Sequence, residues 1–378
     1  MKITTIDTKL LRIPYKEPFH WAQGVIDAAH VVLVCVHTDD GVTGYGESVG
    51  SASLTAVQSF IHEAARLCIG HTPFEVTRLM RDAYQHLFAA RGNCSARRFG
   101  ALVLAGLDMA LWDAAGKVAG RAVHELLGGA VRETVRYFGF PQGDTAEDVA
   151  RDAKNWSDAG CDVIYVKIGR GEALDLAIVE QVRAAIGNKR LRVDANEAWD
   201  VLTAQRMIRA ISASGIEFLE QPTSSDSLSA LAQVKTASVI PIAADQLVFT
   251  PEDVYAVCCA RAADLIVLGL HETGSISRFC KAAAIAEVAG LNVCLHGLYE
   301  TGITTCASNQ VGATLENLDD GNQYMNHLLV EDIILHPNLK LTRGQLPTLG
   351  GPGFGFELDW DAVARAEEAA SKLLQHSS

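Results

Sequence analysis

The sequence predicts an α/β fold in which strand and helix alternate to close a parallel β/α barrel, with a smaller unit ahead of it. Three observations carry this. Three acidic residues each end a short apolar run, Leu191-Arg192-Val193-Asp194, Ile216-Glu217-Phe218-Leu219-Glu220 and Ile240-Pro241-Ile242-Ala243-Ala244-Asp245, and they recur at steps of 26 and 25 residues. Each step holds a helix-like segment, so it has the length of one strand-helix unit. At 378 residues the chain also exceeds the roughly 200–250 residues of a barrel, which leaves a remainder to form something else.

That remainder comes first. Residues 2–13 alternate as a strand up to Pro14 and Pro18, residues 29–38 form a second strand, and the turn Asp39-Asp40-Gly41 leads into a third at 42–47, an antiparallel meander. Between the first two strands, residues 17–24 read as a loop with His20, Trp21 and Gln23, placed to close over a pocket. Residues 53–127 have helical periodicity, stopped by Gly128-Gly129, which puts the domain boundary at 128–131. Barrel strands are predicted at 137–140, 163–167, 191–194, 216–220, 240–244, 265–268 and 292–296, with the eighth near 327–330. A Gly- and Pro-rich stretch at 349–355 then leads into a last helix.

A hydrophobic content of 49% is enough for a large core, and a net charge of −13 argues against a nucleic-acid or anionic-membrane partner. The same charge repels acidic substrates, so an acid needs a local positive centre. The N-terminus lacks the layout of a signal peptide and the apolar run at 31–36 is too short to span a bilayer, so the expected setting is cytoplasmic. Nine cysteines, Cys94 among them, show no CxxC pair and read as reduced, mostly buried small residues.

Parallel strands bring Asp194, Glu220 and Asp245 to one rim of the barrel, the C-terminal one where such folds carry their chemistry. Three hard oxygen donors without His or Cys suit Mg²⁺. Lys167 closes the preceding strand, where desolvation beside a cation disfavours its ammonium form and makes it a general base. His296 ends the strand across the barrel and faces the same substrate carbon as a second acid/base. His271 and Glu300 are further candidates, and Arg170, just past Gly169, is a candidate for a second substrate carboxylate.

At this point the chain resembles the enolase superfamily, in its mandelate racemase and muconate lactonizing enzyme group. The resemblance rests on Ala105-Gly106-Leu107-Asp108-Met109-Ala110-Leu111-Trp112-Asp113 with Gly116-Lys117, on Leu127-Gly128-Gly129, Lys167-Ile168-Gly169, Val193-Asp194-Ala195-Asn196, Leu219-Glu220-Gln221-Pro222, Ala244-Asp245 and Gly353-Phe354-Gly355. It implies a modified TIM (β/α) barrel at 130–345 under an N-terminal α+β capping domain at 1–129, completed by the C-terminal tail at 346–378. It implies Mg²⁺ on Asp194, Glu220 and Asp245, proton abstraction α to the carboxylate of a small acid, and a homo-oligomer. Trp21, His20, Tyr165, His271 and Glu300 become the expected substrate contacts, with Lys167 and His296 catalytic. Tyr165 stands where the family's Lys-x-Lys motif has its first lysine. Gly269 stands where the family has a second lysine or the aspartate that orients the histidine, which leaves His296 without its usual partner. An orphan histidine suits the departure of a hydroxyl, so dehydration of a hydroxy or sugar acid is favoured over racemisation, epimerisation or cycloisomerisation. The absent side chain at 269 is also the motive for a metal-binding relative without turnover.

Overall fold

The computed structural model describes residues 1–50, 53–89 and 97–376; Cys94 and the 90–96 part of the predicted helical span lie outside the described residues. The meander consists of β1 (Ile3–Trp21), β2 (Gly24–Thr38) and β3 (Thr43–Val49), paired antiparallel in that order. Strand alternation divides β2 between two cores: Val31, Leu33 and Cys35 join the core shared with the barrel, whereas Val32, Val34 and Val36 pack with the helices of the cap. This is why residues 31–36 are apolar without a break. The helix Arg97–Ala119 lies so close to β3 that a Cβ on Gly46 would fall 2.2 Å from the Gly106 carbonyl. Most of this long apolar helix is buried inside the fold, as a core helix is.

The predicted loop at 17–24 is instead the tip of the β1–β2 hairpin. Pairing lapses between Pro14 and Phe19, where Pro14 and Pro18 withhold backbone donors, then resumes with Phe19 opposite Ile26 and Trp21 opposite Gly24.

β4 (Thr134–Arg136) leads into six parallel strands, β5 (Val163–Lys167), β6 (Arg190–Asp194), β7 (Ile216–Glu220), β8 (Ile242–Ala244), β9 (Leu265–Leu268) and β10 (Asn292–Leu295), adjacent in chain order. Two irregular segments close the gap between β10 and β5. Residues 137–139 are held by single bridges, Tyr137 to Asn322 and Gly139 to Ile164. The eighth position is filled by residues 317–323 and not by the predicted 327–330: Val293 N donates to Asn317 O at 2.9 Å, Gln323 N to Leu295 O at 2.9 Å and Phe138 N to Asn322 O at 3.1 Å. Residues 317–323 are polar and carry no apolar run, and their backbone is held by Arg192, whose buried guanidinium donates to Gly321 O at 2.7 Å and Asp319 Oδ1 at 2.6 Å. The 327–330 stretch turns to the cap, where Val330 N donates to Pro14 O at 2.9 Å.

Three cap carboxylates fasten the parts together. Asp113 accepts Phe354 N at 2.9 Å and Tyr45 N at 2.8 Å, which docks the C-terminal tail on the cap. Asp108 accepts Ile276 N at 2.8 Å, at the start of the barrel helix Ile276–Val288. Glu47 accepts Thr301 N at 2.9 Å, Thr304 N at 3.0 Å and Thr301 Oγ1 at 2.8 Å, closing the N-terminus of the barrel helix Gly302–Gly312. Glu47→Ala strands these buried donors, so urea unfolding should register a loss of about 2–3 kcal/mol. A loss below about 0.5 kcal/mol would show that the helix end finds other partners.

Candidate active site

Strand register sets the level of the acids. Lys167 pairs with Asp194 and Asp194 with Glu220 across β5, β6 and β7, and Asp245 follows β8 directly. One oxygen from each of Asp194, Glu220 and Asp245 falls within 4.8 Å of the others, and all three residues are buried. The loops behind them fix their aim. Asn196, in the left-handed region at φ +42°, donates its N–H to Asp194 Oδ1 at 2.7 Å, and Gln221 Oε1 accepts Asp245 N at 3.0 Å. The structure thus brings together the three acids that the sequence singled out.

Lys167 Nζ lies 2.5 Å from Asp194 Oδ2. Tyr165 Oη lies 2.6 Å from the same oxygen and 2.8 Å from Glu220 Oε1, and donates its one proton within this pair. Phe138 stacks on the Tyr165 ring at 4.4 Å and holds it there. Tyr165 therefore belongs to the floor of the acid cluster and does not line the cavity above it.

The trio fits a divalent cation on two grounds. Its donors are hard oxygens only, and Asp245 Oδ2 is buried without a hydrogen-bond partner among the described residues. Burial and repulsion from Asp194 and Asp245 lift Glu220 well above the usual carboxylate range, and burial, partly offset by His296, lifts Asp245 to about 6. A raised folded pKa means that the folded state binds more protons, so without metal the stability contributed by Asp245 is lost as pH rises from about 4 through about 6. A bound cation replaces those protons. The rise in melting temperature on adding Mg²⁺ to EDTA-treated protein should therefore be larger at about pH 7 than at about pH 5. An equal rise at both would place the ion elsewhere.

His296 follows β10, and its Nδ1 is 2.6 Å from Glu272 Oε1 while its Nε2 is 3.8 Å from Asp245 Oδ2. Burial alone would depress its pKa; Asp245 and Glu272 outweigh that and push it up to about 10. The orphan histidine of the sequence expectation thus has a partner after all. Glu272 sits on the short helix Leu270–Thr273, one turn beyond Gly269, and a Cβ at 269 would lie 1.7 Å from Glu272 Oε2. The missing side chain at 269 makes room for a carboxylate that arrives from three residues on. The signal was the i, i+3 spacing, legible only once a helical turn is known to start at the strand end.

Lys167, His296, Asp245 and Glu272 line one cavity of about 480 Å³, with apolar walls from Phe19, Trp21, Ile26, Leu102, Phe249, Leu298 and Met325. Trp21 reaches it from the hairpin tip and meets Tyr299 edge-on at 6.4 Å between ring centres. His20 does not, because adjacent strand residues point to opposite faces; it lines another cleft, 3.7 Å from Asp144. His271 is buried behind the cavity, with Nε2 3.1 Å from Thr304 Oγ1, and burial lowers its pKa to about 4. Glu300 lies under Gly297, accepts Leu298 N at 3.0 Å, and is pushed by burial up to about 8. Arg170 is turned away: its guanidinium donates to the carbonyls of Gly143 and Asp144.

A capped β/α barrel thus carries a buried carboxylate trio that fits a metal ion, with an amine at one end of it and an imidazole at the other, the donor set and proton-bearing groups of an enzyme's site. Residues 4–128 match the mandelate racemase / muconate lactonizing enzyme N-terminal domain and residues 148–362 the enolase C-terminal domain-like family. The chain is 31% identical over 376 residues to muconate cycloisomerase 1 of Rhodococcus opacus, covering 96% of this chain and 98% of the other. It is 29% identical over 365 residues to the L-Ala-D/L-Glu epimerase of Bacillus subtilis, covering 94% and 96%. Among solved structures, the dipeptide epimerase of Enterococcus faecalis, complexed with Mg and the dipeptide L-Leu-L-Tyr, superposes with a TM-score of 0.86 at 26% identity, covering 94% of this chain and 100% of that one. The chain belongs to the enolase superfamily, in the mandelate racemase / muconate lactonizing enzyme group.

Proposed function

We propose that this enzyme is a Mg²⁺-dependent isomerase that moves the proton α to the carboxylate of a small acid from one face of the carbon to the other. The observation that carries this is the Glu272–His296 pair, which faces Lys167 across the acid trio. Dehydration was favoured only while His296 lacked a partner, and the relatives that are muconate cycloisomerase and an epimerase point to isomerisation as well. The same pair removes the motive for a relative without turnover.

Asp194, Glu220 and Asp245 would hold the metal, which when bound supplies positive charge beside the substrate carboxylate and acidifies the α-proton. Lys167 Nζ, on the Asp194 side, takes that proton. His296 Nε2, on the Asp245 side, returns one to the opposite face, while Glu272 holds Nδ1 and so fixes which nitrogen of the ring faces the substrate. The apolar walls and the hairpin tip exclude water from the carbon between them.

Incubation with MgCl₂ and single enantiomers of α-substituted carboxylic acids in D₂O tests this. The expected result is α-deuterium incorporation together with the opposite configuration at that carbon. Release of water, with no inverted product, would restore dehydration.

A further inference from the structure

We propose that Arg98 recognises a second carboxylate on the substrate, distal to the one at the acid trio, so that the enzyme acts on small dicarboxylic acids. This rests on the function proposed above, and it concerns a residue that neither the trio nor the acid/base pair involves. Arg98 lies at the start of the long cap helix Arg97–Ala119 and lines the same cavity as Lys167 and His296. Those two cations sit beside Asp194 and Asp245, at the metal end. Among the described residues, Arg98 is the cavity's remaining cation.

Its surroundings hold it without neutralising it. The guanidinium carbon stands 5.0 Å from the centre of the Phe249 ring, beyond β8, and Nη1 donates to Ser225 Oγ at 2.9 Å, beyond β7. Of the acids that line the cavity, Asp245 and Glu272 sit with His296, and Glu197 accepts the backbone N–H of Ser225 at its Oε1 and forms no ion pair with Arg98 among the described residues. Arg98 forms no ion pair among the described residues, and the rest of its planar donor fork has no partner there. A positioned, exposed guanidinium with donors to spare matches a carboxylate in shape as well as charge. The electrostatics favour the same occupant. A chain of net charge −13 repels a dianion at long range, so a second anionic group is tolerated in the cavity only where a cation meets it. A cavity of about 480 Å³ with apolar sides leaves room for a short carbon skeleton between the two anionic ends.

The test compares each dicarboxylic acid with its distal half-amide, which keeps shape and removes charge, using Mg²⁺-loaded wild type, R98Q and R98K. Both α-deuterium exchange kinetics and calorimetric binding are measured. The wild type should prefer the diacid by about tenfold or more in kcat/KM and in affinity. R98Q should raise KM for the diacid while kcat changes far less, collapsing the preference to about one, and R98K should recover part of it. An unchanged preference in R98Q, or none in the wild type, overturns the assignment of Arg98. Should no acid exchange its α-proton, the isomerase proposal fails by itself, and the binding preference of wild type against R98Q still decides the role of Arg98.

Discussion

Lys167→Ala is expected to reduce exchange of the α-proton presented to Lys167 by about 10³-fold or more, leaving that of the opposite enantiomer to His296. The residue is almost wholly buried at the end of β5, its amine pairs among the described residues with one carboxylate, Asp194, and it reaches the cavity in which the substrate carbon must lie. A structural lysine in that position would leave different traces. Removing it would raise repulsion within the trio and weaken folding, yet cation binding would persist or strengthen. The Mg²⁺-induced rise in melting temperature therefore serves as the control: it should survive in Lys167→Ala while exchange on the Lys167 face is lost. The companion variant His296→Asn should keep exchange of one enantiomer and lose that of the other, because the two groups serve opposite faces. Retention of more than about a tenth of the exchange rate for the enantiomer that presents its proton to Lys167 would remove the base from the mechanism.

Gly269→Ala gives the second large effect, on the order of 10²-fold in turnover. A methyl group at this position collides with the Glu272 carboxylate, which is the far end of a flexible side chain and can swing aside without disturbing the backbone. The fold is preserved and the partner of His296 is lost. Circular dichroism and melting temperature should scarcely change, whereas exchange dependent on His296 should fall and its pH profile should move to lower values as the imidazolium loses a stabilising carboxylate. Glu272→Gln should reproduce the pH displacement at constant packing. A Gly269→Ala enzyme with an unaltered pH profile would show that Glu272 does not govern the histidine.

The parts of this site that were legible in the sequence are those that regular strands position. Asp194, Glu220 and Lys167 end β6, β7 and β5, so an apolar run followed by a polar residue marks each of them, and their rim follows from parallel geometry alone. Asp245 is reached the same way. What was missed depends on irregular backbone or on side-chain direction. Residues 317–323 fill a strand position through single bridges and a buried arginine, with no apolar pattern to announce them. Glu272 turns back one helical turn to occupy a glycine's vacant space, and Gly269 taken by itself suggested an absence. His20 and Trp21 are neighbours in a hairpin, and only the pairing register shows which of them faces the cavity.

Glu47 and Asp108 are rooted in the cap, yet each ends on the first turn of a barrel helix, and those helices begin just beyond Glu300 and Glu272. The two halves of the molecule are therefore not interchangeable modules. A chimaera that set this barrel beneath a foreign cap would inherit two helix ends stripped of a carboxylate acceptor next to its proton-transfer groups, and new substrate preferences are reached more economically by editing the hairpin tip in place than by swapping the whole lid.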